Sequence, residues 1–270
     1  METNTGNGGD AAITIGIRGR GLIGGSFEKA FSANGYRVLD LKNASPERIR
    51  SCGVVIVCLP PLLVAPWIIE HAADFADGAL VTDAAGVKAA VCGPLEGLSK
   101  TSKWTYVGGH PMAGRERGGY ENATADLFAG ASMIFTPYAW TDRSAVERLE
   151  ALFSKIGFGR FVTTDPDRHD RLIAYTSQLA HVVSSAYVRD PLAASHSGFS
   201  AGSFHDMTRV ATVDPEMWTD LFLSNGKALD EVLSRLIDRL EDYRTAIRSA
   251  DAGRIRRLLE EGRMVKESVS

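Results

Sequence analysis

His110 stands in the run VGGHPMAGRERGG, residues 107–119, where glycines, a proline and two arginines surround a single imidazole. A neutral histidine takes up a proton near neutral pH, so this position is a candidate general base. The plainer account is a loop histidine satisfied by its neighbours, since the run is too rich in glycine for a helix interior or a comfortable strand. A second group of residues offers different chemistry. Gly19-x-Gly21-x-x-Gly24 follows the apolar run AITIGI and opens the helical stretch GLIGGSFEKAF. Gly19 permits a tight turn, Gly21 lets backbone approach a pyrophosphate, and Gly24 allows close helix–strand packing, while the helix start supplies free N–H groups. This is a dinucleotide fingerprint, with Leu22 and Ile23 inside it and Pro60, after the run VVIVCL, as a further expected cofactor contact.

Asp40, about 20 residues beyond the fingerprint in YRVLDLKN, is placed to take the ribose hydroxyls. Lys42, two residues later on the same strand face, would instead meet a 2′-phosphate, so NAD and NADP both stay open. The link NASPERIRSC is short for a crossover helix and a further strand, which predicts a trimmed adenosine side. No metal site is expected. His169, His181, His196 and His205 show no HExxH spacing, and Cys52, Cys58 and Cys92 form no CxxC pair.

The elements that must position these residues change character along the chain. AITIGI, YRVLDL, GVVIVCL, GALVTDA, WTYVGG and ASMIFTP read as strands bounded by glycine, proline or aspartate. The continuous apolar run VVIVCL predicts a strand covered on both faces, as in a parallel sheet flanked by helices. After GRFVTTDPDRHD the strand signals stop, and Leu229, Val232, Leu233, Leu236, Ile237, Leu240, Tyr243 and Ile247 recur at helical spacing, followed by a shorter helix around Ile255, Leu258 and Leu259. The fold class is therefore α/β: a Rossmann-like nucleotide-binding domain over 1–164, with 1–11 as a disordered lead-in, and an all-helical domain over 165–270.

Composition narrows the function. Of 270 residues, 44% are hydrophobic and 23% charged, as in ordinary globular proteins. A formal net charge of −3 gives no electrostatic case for nucleic acid or an anionic membrane. Pro60, Pro61 and Pro66 interrupt the most apolar run, VVIVCLPPLLVAPWII, which argues against a membrane-spanning helix. Three sparse cysteines suit a reducing compartment, and a cytoplasmic location is expected.

GLIGGS, VGGHPMAG, LFAGASMIFTP, RHDRLIAYTSQLAH and DMTRVATVDPEMW occur in that order. Together they resemble the prephenate and arogenate dehydrogenases of tyrosine biosynthesis, from about residue 13 to 245. The resemblance implies a nucleotide-binding domain, a helical domain that forms a homodimer, and oxidative decarboxylation of prephenate or arogenate with NAD or NADP. It makes His110 the catalytic base on the ring hydroxyl and Arg209 the grip on a substrate carboxylate. It adds His181, Ser177, Gln178, Glu116 and Trp218 as substrate-side residues, with Asp206 beside them.

Two departures stand out. The family segment S-H-L-P-H is SQLAH here, so Ser177 and His181 remain while Gln178 and Ala180 are changed. Where the family often has G-S-V-K, this chain has AGVK, so Gly86 replaces a serine that orients the histidine, while Lys88 is kept. A related β-hydroxyacid or imine dehydrogenase is a second reading, against which GGHPMAG and TRVATVDPEMW argue. A catalytically silent homologue with a binding or regulatory role is a third. Cofactor affinity separates the third from the other two.

Overall fold

The computed structural model describes residues 13–115 and 117–269. The expected lead-in over 1–11, and Glu116, lie outside the described residues. The chain divides into two compact units, the first ending at Asn225 and the second running from Gly226.

The first unit is built on a sheet of seven strands among the described residues: β1 (Ile15–Arg18), β2 (Val38–Asp40), β3 (Val54–Val57), β4 (Leu80–Asp83), β5 (Thr105–Pro111), β6 (Ser132–Thr136) and β7 (Arg160–Thr163), in spatial order β2-β1-β3-β4-β5-β6-β7. β1 to β5 pair in parallel, β5 pairs antiparallel with β6, and β6 pairs parallel with β7. All four residues of β3, VVIV, are buried, as a strand covered on both faces requires. One face packs the aromatic cluster of Phe27, Phe31, Phe128 and Phe153, with the Phe27 and Phe128 rings 4.3 Å apart. The other packs Trp67, Phe75, Trp104 and Tyr106.

Helices α1 (Leu22–Ala33), α2 (Pro46–Arg50), α3 (Pro61–Glu70), α4 (Ala89–Thr101) and α5 (Arg143–Ser154) connect the strands. The short link after Asp40 is the five-residue α2, started by the Ser45 side chain on the Arg48 N–H and by Pro46. β2 is consequently an edge strand, and the chain reverses direction across the sheet between β1 and β3. Ligands of open α/β sheets bind in that crevice, at the carboxyl ends of the strands.

Three sequence expectations need correction. β5 does not stop at Gly109 but continues through His110 to Pro111, with His110 in register with Ile134 of β6. The glycines that speak against a strand are what permit it. A Cβ on Gly109 would press on the Asp83 carbonyl and lie 2.8 Å from Thr82 Oγ1, and one on Gly108 would lie 2.9 Å from Cys92 Sγ. β7, in GRFVTT, adds a strand, half-exposed and short, where apolar patterning is weak. Lys42 lies in a turn beyond β2, not on the strand, and its N–H donates to Asp40 Oδ1 at 2.8 Å.

Beyond residue 165 the elements are helical: α6 (Pro166–Ile173), a π-helical turn (Ala174–Gln178), α7 (Leu179–Val188), α8 (Gly202–Thr208) and α9 (Pro215–Ser224) in the first unit. The second unit holds α10 (Gly226–Arg248) and α11 (Ala252–Ser268). Asp251 caps α11 on the Arg254 N–H at 2.9 Å, and the Arg254 guanidinium reaches back to Asp242 on α10 at 2.6 Å. No helix among the described residues is long and apolar enough to cross a membrane.

Candidate active site

The fingerprint forms the turn between β1 and α1. Gly19 has φ +105°, a conformation that favours glycine, and its missing Cβ makes room for the Cys58 carbonyl at the end of β3. A Cβ on Gly24 would run into the Gly19 carbonyl and lie 3.1 Å from Cys58 Cβ, so the start of α1 packs close to both strands. Gly21, by contrast, faces open space, with nothing within 4 Å of where its Cβ would be. Gly21 precedes α1 and gives it no side-chain cap, which leaves its first N–H groups free for an anion. These features fit a dinucleotide pyrophosphate. Leu22 and Ile23 are half-buried in the first turn of α1, and Pro60 is exposed at the start of α3. Asp40 ends β2, with Arg20 Nη1 3.8 Å from its Oδ2.

Beside the crevice, β4 ends in Asp83, whose carboxylate organises the floor under His110. It pairs with the Lys88 ammonium, accepts the Tyr106 hydroxyl at 2.6 Å, and accepts the N–H groups of Ala85 at 2.7 Å and Gly109 at 3.2 Å. Lys88 also donates to the Gly109 carbonyl at 2.6 Å. Asp83, Lys88 and Tyr106 are wholly buried. Burial, and then the neighbouring Asp83 charge, push the Tyr106 hydroxyl well above its ordinary range, so it stays a donor. The backbone of Gly109 is thereby gripped on both its N–H and its carbonyl, next to the histidine.

His110 Nδ1 lies 2.9 Å from His169 Nε2 on α6, and His169 Nδ1 lies 2.7 Å from Asp170 Oδ1. Asp170 in turn accepts the N–H groups of Lys88 at 2.7 Å and Ala89 at 2.8 Å, at the start of α4. On its other side His110 faces Gly86: a Cβ there would lie 3.7 Å from Nε2 and 3.3 Å from Leu221 Cδ2 of α9. His110 Nε2 has no hydrogen-bond partner among the described residues. Burial first, then the positive charge of His169 when protonated and that of Lys88, holds the His110 imidazole well below its ordinary pKa. His169 is lowered too, again mainly by burial.

α9 links this histidine to the substrate-side residues of the sequence reading. Leu221 leans on Gly86, and Trp218, one turn earlier, packs tilted against His181 of α7 with ring centroids 3.7 Å apart. His181 Nδ1 donates to the Val210 carbonyl at 2.8 Å. Its pKa is lowered by burial and by the charge of Arg209, which is exposed at the end of α8. Ser177 sits half-exposed in the π-helical turn, a feature that is frequent at functional sites. Gln178 bonds within the protein. It is 2% exposed, its Nε2 donates to the Leu221 carbonyl at 3.1 Å, and its Oε1 accepts from Asn225 at 2.7 Å. Its amide therefore ties the π-helical turn to α9 and the residue that follows it. Asp206 is exposed beside His205, and Thr208 bonds the Phe204 carbonyl at 2.8 Å.

Sequence reasoning missed His169, Asp170, Asp83 and Tyr106. The adjacent pair His169–Asp170 in RHDR was a faint signal, but only the docking of α6 on α4 brings it to His110.

A dinucleotide cradle on the parallel strands, and on β5 an imidazole whose Nε2 has no partner among the described residues, are the features of a nicotinamide-dependent oxidoreductase. Residues 19–162 match the model of the prephenate dehydrogenase nucleotide-binding domain, and 165–261 that of the prephenate dehydrogenase dimerization domain. A cyclohexadienyl dehydrogenase of Zymomonas mobilis is 31% identical over 215 residues, 76% of this chain and 71% of that protein. A prephenate dehydrogenase of Bacillus subtilis is 29% identical over 269 residues, 88% of this chain and 71% of that one. The crystal structure of prephenate dehydrogenase from A. aeolicus in complex with hydroxyphenyl propionate and NAD+ has the same fold, with a TM-score of 0.80 at 24% identity over 96% of this chain and 98% of that one. The chain belongs to the prephenate dehydrogenase family.

Proposed function

We propose that the protein oxidatively decarboxylates prephenate to 4-hydroxyphenylpyruvate, with NAD as the hydride acceptor and His110 as the base. The observation that carries this reading is the free Nε2 of a histidine held neutral, facing the gap at Gly86 and Leu221. Prephenate bears a hydroxyl and a carboxylate at opposite ends of a cyclohexadiene ring. NAD, when bound on the fingerprint, supplies the site for hydride from the hydroxyl-bearing carbon. His110 Nε2 takes the hydroxyl proton as the carbonyl forms, and loss of carbon dioxide then makes the ring aromatic. Aromatisation provides the thermodynamic drive, so the residues mainly hold geometry and move one proton. Arg209 grips a substrate carboxylate as a fork, with His181, Ser177 and Trp218 beside it. Glu116 is retained as a substrate-side residue on the resemblance alone.

Gly19, Gly21, Leu22, Ile23, Gly24 and Pro60 form the cofactor cradle in this reading. Asp40 takes the ribose hydroxyls, and its carboxylate disfavours the 2′-phosphate of NADP. The functional boundary falls near residue 165, and the helical part from there onward is a dimerisation domain of a cytoplasmic homodimer. The exposed Ile237, Leu240 and Ile247 on α10 support that pairing.

Absorbance at 340 nm, with purified protein given prephenate or arogenate and NAD or NADP, tests the proposal. Turnover is expected with prephenate and NAD. Turnover with arogenate alone would make the amino-acid form the substrate, and silence of folded protein with all four pairs would refute the activity.

A further inference from the structure

Among the described residues, the ring of His110 is hydrogen-bonded from one side only. Gly86 offers no side chain to it, and Leu221 next to Gly86 is apolar, so the polar contact that fixes the imidazole is the one from Nδ1 to His169. The direction of that bond follows from its far end. Asp170 accepts the backbone N–H groups of Lys88 and Ala89, and a carboxylate so engaged meets His169 Nδ1 as a further acceptor. His169 therefore carries its proton on Nδ1 and presents the lone pair of Nε2. His110 must then carry its own proton on Nδ1 to make the 2.9 Å bond, which leaves the lone pair on Nε2 toward the gap at Gly86.

We propose that His169 is the positioning residue of the site: through Asp170 it sets both the orientation and the tautomer of His110, so that Nε2 is the nitrogen free to accept a proton. The proposal rests on His110 being the base of the reaction above. When His110 Nε2 takes a proton, its Nδ1–H is already directed at the lone pair of His169, whose other nitrogen faces the Asp170 carboxylate. The positive charge that develops on His110 is thus met by an oriented acceptor backed by an anion. Asp170 also ties α6 to the start of α4, so the pair is fixed by backbone contacts and not by side-chain packing alone.

Two substitutions separate positioning from folding. His169→Asn keeps an N–H donor near the place of Nδ1, and hence the Asp170 link, but loses the acceptor for His110. His169→Gln places an amide oxygen near the position of Nε2 and restores that acceptor. Steady-state kinetics with prephenate and NAD should show kcat falling about 30- to 100-fold in His169→Asn, with KM changed less than about threefold. His169→Gln should recover about tenfold of the loss. Long-range ¹H–¹⁵N spectra of the histidine-labelled full chain should show His110 protonated on Nδ1 in the unsubstituted protein and a tautomer mixture in His169→Asn.

Unchanged kcat in His169→Asn would overturn the proposal, as would a His110 found protonated on Nε2. Equal losses in the Asn and Gln variants, with lowered thermal stability in both, would also overturn it in favour of a purely structural role. If the unsubstituted protein turns over neither substrate, the proposed function fails, while the spectra still decide the tautomer on their own.

Discussion

The carboxylate of Asp170 accepts the backbone N–H of Lys88 at 2.7 Å, joining α6 to the start of α4 across 82 positions of sequence. That one contact places a helix from beyond the nucleotide-binding part against the end of β4, and it brings His169 to within 2.9 Å of His110. The site is therefore assembled from two stretches that share no local pattern.

Gly21 is exposed, and nothing lies within 4 Å of where its Cβ would be, so Gly21→Val should leave the fold intact. The added isopropyl group would occupy the space needed by a pyrophosphate. NAD affinity, measured by quenching of protein fluorescence, should fall at least about 100-fold, with a melting temperature within a few degrees of the parent. Unchanged affinity would remove this turn from the cofactor site.

Much of this half was legible in the sequence, and the reason is local. The fingerprint is a turn whose glycine requirements lie within six residues, VVIV advertises a strand covered on both faces, and α10 shows its face through regular spacing. What was hidden depends on contacts between distant segments. The extension of β5 through His110 relies on pairing with β6 and on Gly109 fitting against Asp83, and the roles of His169 and Gln178 arise only when α6, α7 and α9 dock. At Gly86 the sequence shows only that a side chain is missing beside His110, whereas the contact from His169 at Nδ1 comes from a segment 59 positions away.

Lys88 and Asp83 are a wholly buried ion pair, and removing one partner strands the other. Lys88→Met should cost about 3–5 kcal/mol in urea unfolding. A change below about 1 kcal/mol would mean that Tyr106 and the backbone N–H groups satisfy Asp83 by themselves.

Stability should fall with acidification through the histidine range. His110 and His169 have folded pKa values lowered mainly by burial, beside Lys88, Asp83 and Asp170. Below the unfolded value of about 6.5 the unfolded chain binds protons that the native site refuses, so stability is full above that pH and declines below it. Each histidine contributes a slope of up to about 1.4 kcal/mol per pH unit between its unfolded and folded pKa values. Calorimetry from pH 7.5 to 5.5 should show the melting temperature dropping, with a shallower drop in His110→Asn. Identical slopes in the two proteins would contradict the burial argument.

Arg209 is exposed, yet close enough to depress His181. Arg209→Gln should raise KM for prephenate about 100-fold while NAD affinity and the melting temperature stay near the parent values. Equal weakening of substrate and cofactor would assign Arg209 a structural task.

The most direct test of the central claim compares the parent with His110→Asn, following NADH formation at 340 nm alongside calorimetric binding of prephenate. With His110 as the base, kcat falls about 10²- to 10⁴-fold while prephenate still binds within a few-fold of the parent affinity. Turnover that survives the substitution would contradict the account, and the proton would have to leave by another group.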